Sequence, residues 1–249
     1  MIPCLLLKNF GLVKTIKFKD PKYLGDPINI VRIFNDKEVD ELVFLDITAT
    51  HENRSPSFEL LRKITSECFM PLGYGGGIHS MEDIRTLLQI GLEKIILNTS
   101  AVEDPGLIRA AADYAGSSSV VVSMDVKEGS ARRFEIFTRG GKKKTGLDPI
   151  RQAVEVEKLG AGEILLNSID RDGTMKGYDI ELIRRVSEAV NIPVVACGGA
   201  GKLQDLADAI KLGGASAAAA GSLFVFQGPL RGVLINYPSA AELKSVLED

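Results

Sequence analysis

The chain has no tryptophan, only two histidines and only three cysteines in 249 residues. His51 and His79 have no cysteine at a ligand spacing, so the sequence offers no metal site. Cys4, Cys68 and Cys197 are scattered and odd in number, which argues against a disulfide framework and for a reducing cytosol. No stretch is apolar for the length of a membrane span. The apolar start, Met1 to Leu7, has no basic region before it and no small-residue cleavage site after it, so it reads as a buried strand rather than a signal peptide. Large excess charge is missing too: a net charge of −3 gives no reason to expect nucleic acid or an anionic membrane as partner. Nothing in the pattern asks for a cofactor.

What is present is apolar material enough for a sizeable core, 45% hydrophobic against 25% charged. It is arranged as short apolar runs: Ile2–Leu7, Glu41–Asp46, Met70–Tyr74, Lys94–Leu97, Val120–Asp125, Glu163–Ser168, Pro193–Cys197 and Ala217–Ala220. Near-continuous runs of this length are expected of parallel strands buried on both faces. Between them, Ile28–Lys37, Phe58–Cys68, Met81–Ile90, Pro105–Tyr114, Pro149–Leu159, Ile180–Val190 and Leu203–Leu212 place apolar residues at helical spacing, and Ala240–Leu247 reads as a closing helix. Eight strands alternating with helices predict a single (βα)₈ barrel over residues 1–249, with a doubly wound open sheet as the runner-up.

The two halves resemble each other. Glu41-Leu-Val-Phe-Leu-Asp46 parallels Glu163-Ile-Leu-Leu-Asn167, Gly75-Gly76-Gly77 parallels Gly198-Gly199-Ala200, and Gly91 parallels Gly214, always 122 or 123 residues apart. A constant offset near half the chain length indicates an internal duplication, and a doubled half-barrel closes naturally into eight strands.

Two phosphate sites are expected on the rim at the strands' C-terminal ends. One combines Gly76 and Gly77 after strand 3 with Asn98 and Thr99 after strand 4. The other combines Gly198 and Gly199 after strand 7 with Gly221 and Ser222 after strand 8, joined by Asp172 and Gly173 after strand 6. Glycines let backbone N–H groups approach phosphate oxygens closely; the plainer alternative is that they make tight turns. Asp46, Asp125 and Asp172 fall at or just after strand ends, where a carboxylate faces the mouth. Asp125 is the best candidate for general acid or base work, against a plain ion pair with Lys127 or Lys14. At the opposite end, Glu41 and Glu163 start strands 2 and 6 and face each other through the duplication. Two such carboxylates need a cation between them, which Lys94 at the start of strand 4 could supply. Asp40 and Glu93 stand just before this group. The lysine-rich segment Lys8–Pro27 is expected to be a mobile, substrate-covering loop, and the insertion Lys127–Lys144 to contain a hairpin strand at Phe134–Thr138.

Asp40-Glu-Leu-Val-Phe-Leu-Asp-Ile-Thr48, Gly75-Gly-Gly-Ile78, Gly160-Ala-Gly-Glu-Ile-Leu-Leu166, Asp170-Arg-Asp-Gly-Thr174 and Gly198-Gly-Ala-Gly201 together resemble the HisF family, the cyclase subunits of imidazole glycerol phosphate synthase, over essentially the whole chain. The resemblance implies a (βα)₈ barrel partnered by a HisH-like glutaminase. Ammonia would enter through the barrel floor and meet, at the mouth, a small-molecule substrate phosphorylated at both ends. In that light Glu41, Lys94 and Glu163 match the family's ammonia gate, Asp40 and Glu93 match partner-facing positions, and Lys14 matches a lysine of the mobile loop that works with Asp125. The family gate also includes an arginine just before strand 1, a position this chain begins too late to show.

The resemblance is broken at one telling place. The family carries an aspartate at the end of strand 1, in Cys-Leu-Asp-Val-Lys, where this chain reads Cys4-Leu-Leu-Leu-Lys8, so Leu6 stands at the aspartate position. Thr15 and Asn167 stand where the family commonly has glycine and threonine. Leu6, with Lys8-Asn-Phe-Gly-Leu-Val-Lys-Thr15, Ser168-Ile-Asp-Arg-Asp-Gly-Thr-Met-Lys176 and Gly221-Ser-Leu-Phe-Val-Phe-Gln227, is instead similar to the WbuZ branch. That similarity implies a subunit delivering ammonia to a third enzyme for sugar amidation in surface polysaccharide synthesis. The alternatives are a true HisF cyclase of histidine biosynthesis, a non-catalytic scaffold that activates a glutaminase, and a phosphate-sugar isomerase using Asp46 or Asp172 as its second acid or base.

Overall fold

A strand that is apolar on both faces has to be covered on both faces, and a ring of such strands inside a ring of helices does this without leaving an edge. The computed structural model describes residues 1–129 and 133–247. Its ring consists of β1 (Ile2–Lys8), β2 (Leu42–Asp46), β3 (Leu72–Gly75), β4 (Lys94–Leu97), β5 (Val120–Glu128), β6 (Glu163–Ser168), β7 (Val194–Cys197) and β8 (Ala217–Ala220). Each pairs in parallel with the next, and β8 returns to β1 with Ile2 opposite Ala219, closing a (βα)₈ barrel. Around it lie α1 (Pro27–Asp36), α2 (Phe58–Thr65), α3 (Met81–Ile90), α4 (Thr99–Glu103), α5 (Gly106–Ala115), α6 (Pro149–Lys158), α7 (Ile180–Ser187), α8 (Leu203–Lys211), α9 (Ser222–Val225) and α10 (Ala240–Leu247).

Strand alternation splits the apolar residues into two cores. Outward side chains such as Leu5, Leu7, Phe44 and Ile95 pack under the helices. Inward ones, Ile2, Cys4, Val43, Ile96, Val121, Leu165, Val195, Cys197 and Ala219, fill the lumen. Local signals start the helices where expected. Asp26 and Asp148 each cap a helix that has proline at its first position, and Ser80 and Asp83 form a capping box at α3.

Several bounds differ from the expected ones, each for a local reason. The helix expected to reach Cys68 stops at Thr65 because Asn35 binds both Glu67 O (2.6 Å) and Phe69 N (3.1 Å), drawing the tail out of the helix. Strand 3 begins at Leu72 rather than Met70 because Pro71 has no N–H to donate. A separate short helix, α4, precedes α5. β5 runs past Asp125 to Glu128 and pairs with an antiparallel strand, Phe134–Thr138. Residues 130–132 of the expected insertion lie outside the described residues.

The largest difference is at Lys8–Pro27, expected as a loop. It is a hairpin: Gly11–Ile16 pairs antiparallel with β1 and then with Lys19–Gly25. Its two-residue turns, Asn9-Phe10 and Lys17-Phe18, hold all four residues at positive φ, the conformation tight hairpins require and bulky residues resist.

The duplication is visible in three dimensions. Asp83 Oδ2 accepts from the N–H groups of His79 and Ser80, and Asp205 Oδ2 accepts from those of Gly201 and Lys202 at equivalent positions of the other half. Gly76 (φ +119°) and Gly199 (φ +126°) repeat one conformation, and in each a Cβ would fall within about 2.4 Å of a carbonyl oxygen, that of Asp46 or Gly177.

Candidate active site

The C-terminal ends of the strands surround a cavity of about 320 Å³, lined among others by Leu6, Asp46, Asp125, Asn167, Asp172 and Gly199. Asp125 comes from β5, opposite Leu6 on β1, and is buried to 8% exposure. Asn98 donates to Asp125 Oδ2 (3.2 Å) and Asn167 to Oδ1 (3.5 Å), and among the described residues no cation pairs with it. Burial is the main influence on this carboxyl and, with Asp172 nearby, pushes its pKa up to about 7, against the lowering effect of the two amides. A carboxyl balanced near neutrality can both give and take a proton, which is what general acid–base work needs.

Lys14 was the expected companion of Asp125, and the structure gives it a different partner. Lys14 Nζ lies 2.6 Å from Asp172 Oδ1, and both groups are buried. Thr15 Oγ1 (2.8 Å) and Phe18 N (3.3 Å) donate to the other oxygen, and Lys17 N donates to the Asp172 carbonyl (2.9 Å). Asp172 thus clamps the β1 hairpin over the cavity instead of standing free in a phosphate site. Asp46 is equally committed: Arg54 donates to one oxygen (2.8 Å), and Thr48 and Ala49 N–H groups donate to the other. Both carboxylates that the isomerase reading would use are thus engaged by protein cations, Asp172 by Lys14 and Asp46 by Arg54.

The expected phosphate residues line two neighbouring cavities, with Gly76, Asn98 and Thr99 lining both. Gly198, Gly199, Gly221, Ser222 and Gly173 line the main one with Asp172. Gly76 and Gly77 line a second cavity of about 440 Å³ with Asn98, Thr99, Arg54, His79 and Arg139. The side chains of Asn98 and Thr99 already have protein partners there, Asp125 and the Arg139 N–H. Gly76 and Gly199 are required by close backbone packing, which supports the turn-making reading, and both also line the main cavity. Sequence reasoning missed Arg54 and Arg139; nothing in their spacing distinguishes them from surface arginines. It also missed His51, which lines the main cavity and whose pKa is lowered by burial and by Lys142 and Arg139.

At the other end of the ring, Lys94 Nζ sits between Glu41 Oε2 (2.8 Å) and Glu163 Oε2 (2.9 Å), so the expected triad forms. Burial would lower the Lys94 pKa; the hydrogen bonds to the two glutamates outweigh it and raise it. Burial raises Glu163, partly offset by Lys94. Glu41 Oε1 is buried without a hydrogen-bond partner. Asp40 is exposed and binds the Met1 amino group (2.6 Å) and Tyr237 (2.9 Å), while Glu93 accepts from Leu72 N (2.8 Å).

The model of the family described as histidine biosynthesis protein matches residues 1–230. The chain belongs to that family and is HisF-like. It is 50% identical, over 90% of its length and 89% of the relative's, to an imidazole glycerol phosphate synthase subunit HisF from Alkaliphilus metalliredigens. It is 51% identical, over 98% of its length and 97% of the relative's, to a Pseudomonas aeruginosa protein provisionally named imidazole glycerol phosphate synthase subunit hisF2. A Leptospira interrogans protein with a provisional HisF name is 48% identical over 99% of this chain and 97% of its own. The barrel of this HisF-like chain therefore has a floor triad at one end and the Asp125 carboxyl at the other, with Leu6 lining the mouth opposite Asp125.

Proposed function

We propose that this HisF-like chain is the ammonia-conducting barrel subunit of a glutamine amidotransferase system. In this reading a HisH-like glutaminase docks on the floor near Asp40 and Glu93. Ammonia passes the Glu41–Lys94–Glu163 gate, crosses the lumen and emerges beside Asp125. The acceptor is a third enzyme that amidates a sugar for surface polysaccharide.

The observation that carries the reading is the floor triad at one end of the barrel and, at the other, a mouth in which Leu6 stands opposite Asp125 while Asp46 and Asp172 are ion-paired. Cyclisation of the histidine-pathway intermediate needs a proton donor and a proton acceptor on opposite sides of the substrate, and Leu6 can be neither. Lys14, Asp46 and Asp172 are held in ion pairs. The glycine-built sites would hold the phosphates of a doubly phosphorylated ligand.

A genuine HisF cyclase is the second reading, favoured by the survival of Asp125 with a pKa near 7. It expects the chain to rescue a strain lacking HisF. The first reading expects no rescue. It also expects the HisH-like glutaminase of the same genome to hydrolyse glutamine at least roughly tenfold faster when mixed with this chain, a coupling of about 1.4 kcal/mol. Asp40→Lys should weaken that complex, and Gly199→Asp should not. Rescue of the HisF-deficient strain, or a glutaminase indifferent to the chain, would contradict the first reading.

A further inference from the structure

His51, Lys142 and the glycine turn before Lys142 lie on the rim just outside the Gly77–Thr99 phosphate site, and the proposed function uses none of them. Two contacts fix their place. Thr50 Oγ1 accepts from Gly77 N (3.4 Å), which puts His51 one residue outward of that site. Arg139 N donates to Thr99 Oγ1 (3.0 Å), which puts Gly140 one residue outward on the other side. The two then meet: a Cβ on Gly140 would lie 3.0 Å from His51 Nε2. His51, Gly140 and Lys142 line the main cavity together, and Thr50 lines both cavities.

The turn is fixed from both sides. Arg139 pairs with Glu103 (3.0 Å), and Lys142 N donates to the Thr138 carbonyl (3.1 Å). Arg139, Gly140 and Gly141 all have positive φ, and the absence of a side chain at Gly140 lets the imidazole approach the backbone. The positive charge gathered here is unanswered. Of three consecutive lysines, Lys143 pairs with Glu103 and Lys144 with Glu135, whereas Lys142 has no ion-pair partner among the described residues. Among the same residues, nothing accepts from the N–H groups of Gly140 and Gly141 and nothing hydrogen-bonds the His51 ring. Burial and then Lys142 and Arg139 lower the His51 pKa; Glu52 acts in the opposite direction, but its carboxylate is already held by Arg54. Like charges gathered beside open backbone donors are stabilised by an anion between them.

We propose that His51, Lys142 and the Gly140–Gly141 backbone form a second phosphoryl subsite beside the Gly77–Thr99 site, so that this side of the mouth takes a diphosphate ester. The inner phosphoryl sits on Gly77 and Thr99. The outer one meets His51 Nε2, the Lys142 ammonium and the N–H groups of the turn. The two phosphoryl groups of a diphosphate share one bridging oxygen, so they need subsites in direct succession. The steps from Thr50 to His51 and from Arg139 to Gly140 supply that succession. The proposal rests on the glycine-built sites being phosphate sites, and it stands whether or not the lumen conducts ammonia.

The chain's two histidines report the two subsites separately, because His79 lines the second cavity with Gly77 and His51 lines the main one. The experiment follows their ring NMR resonances in the full chain, without a histidine tag, on titration with inorganic phosphate and with inorganic pyrophosphate in magnesium-free buffer. Pyrophosphate should shift both histidines along one binding curve and bind at least roughly tenfold more tightly than phosphate. Lys142→Met and His51→Gln, each checked for an unchanged melting temperature, should abolish that preference. Phosphate binding read at His79 should stay within about twofold in both variants. Equal affinity for the two anions, a His51 resonance that stays still while His79 shifts, or a preference that survives Lys142→Met would overturn the proposal and leave the Gly77–Thr99 site standing. No shift of His79 with either anion would overturn both.

Discussion

Asp125 holds its proton up to about pH 7 in the folded chain, whereas the unfolded carboxyl releases it near 3.8. Between those values the folded state binds more protons than the unfolded one, so this group's contribution to stability falls as pH rises. Asp125→Asn removes that penalty. Urea titrations should therefore show the variant gaining on the native chain between pH 4 and pH 7, by up to about 4 kcal/mol, and no longer gaining above pH 8. An unchanged difference across this range would mean that the carboxyl is not desolvated. Lys94 makes the opposite case. Lys94→Met leaves Glu41 and Glu163 facing each other unneutralised and should cost about 1–3 kcal/mol after allowing for partial exposure. Changing both glutamates to glutamine in the same chain should recover most of that loss in the same titrations. The two glutamates were legible in the sequence because the duplication places them opposite each other, and Lys94 followed from the need for a cation between them. The Lys14–Asp172 pair was not, since the partners are 158 residues apart and belong to no repeated motif.

The β1 hairpin shows what patterning cannot deliver at the scale of an element. Its turns use Phe10 and Phe18 at positive φ, against local preference, so the sequence reads as loop. Tertiary bonds to Asp172 hold the second turn in place. Asp172→Ala should release it: amide exchange at Lys17 and Phe18 should accelerate by roughly 10- to 100-fold, as expected on losing charge-assisted hydrogen bonds, while exchange in β5 stays unchanged. Equal acceleration in both elements would indicate general destabilisation rather than release of a clamp. The helices were more legible, because Asp-Pro starts and the Ser80–Asp83 box announce themselves locally. Their ends were less so, as Asn35 trimming α2 illustrates: the deciding partner lies on another helix.

At the scale of the whole molecule, the closed barrel follows from two features readable in the chain, apolar strand-length runs and a half-chain repeat. The repeat also places like residues on opposite sides of one axis, which is why the glycine loops and the Glu41–Glu163 pair could be located before the fold was seen. What the repeat cannot give is where the halves have diverged, and the chemistry lies there. Leu6 and Asp125 face each other across the mouth, and only one of them titrates. The most direct test of the account is steady-state turnover of the doubly phosphorylated histidine-pathway intermediate with ammonium salt, measured on the native chain and on Leu6→Asp. The account predicts no imidazole glycerol phosphate above background from the native chain and measurable turnover once the carboxyl is introduced. Native turnover at the rate of the Alkaliphilus metalliredigens relative, measured side by side, would contradict it.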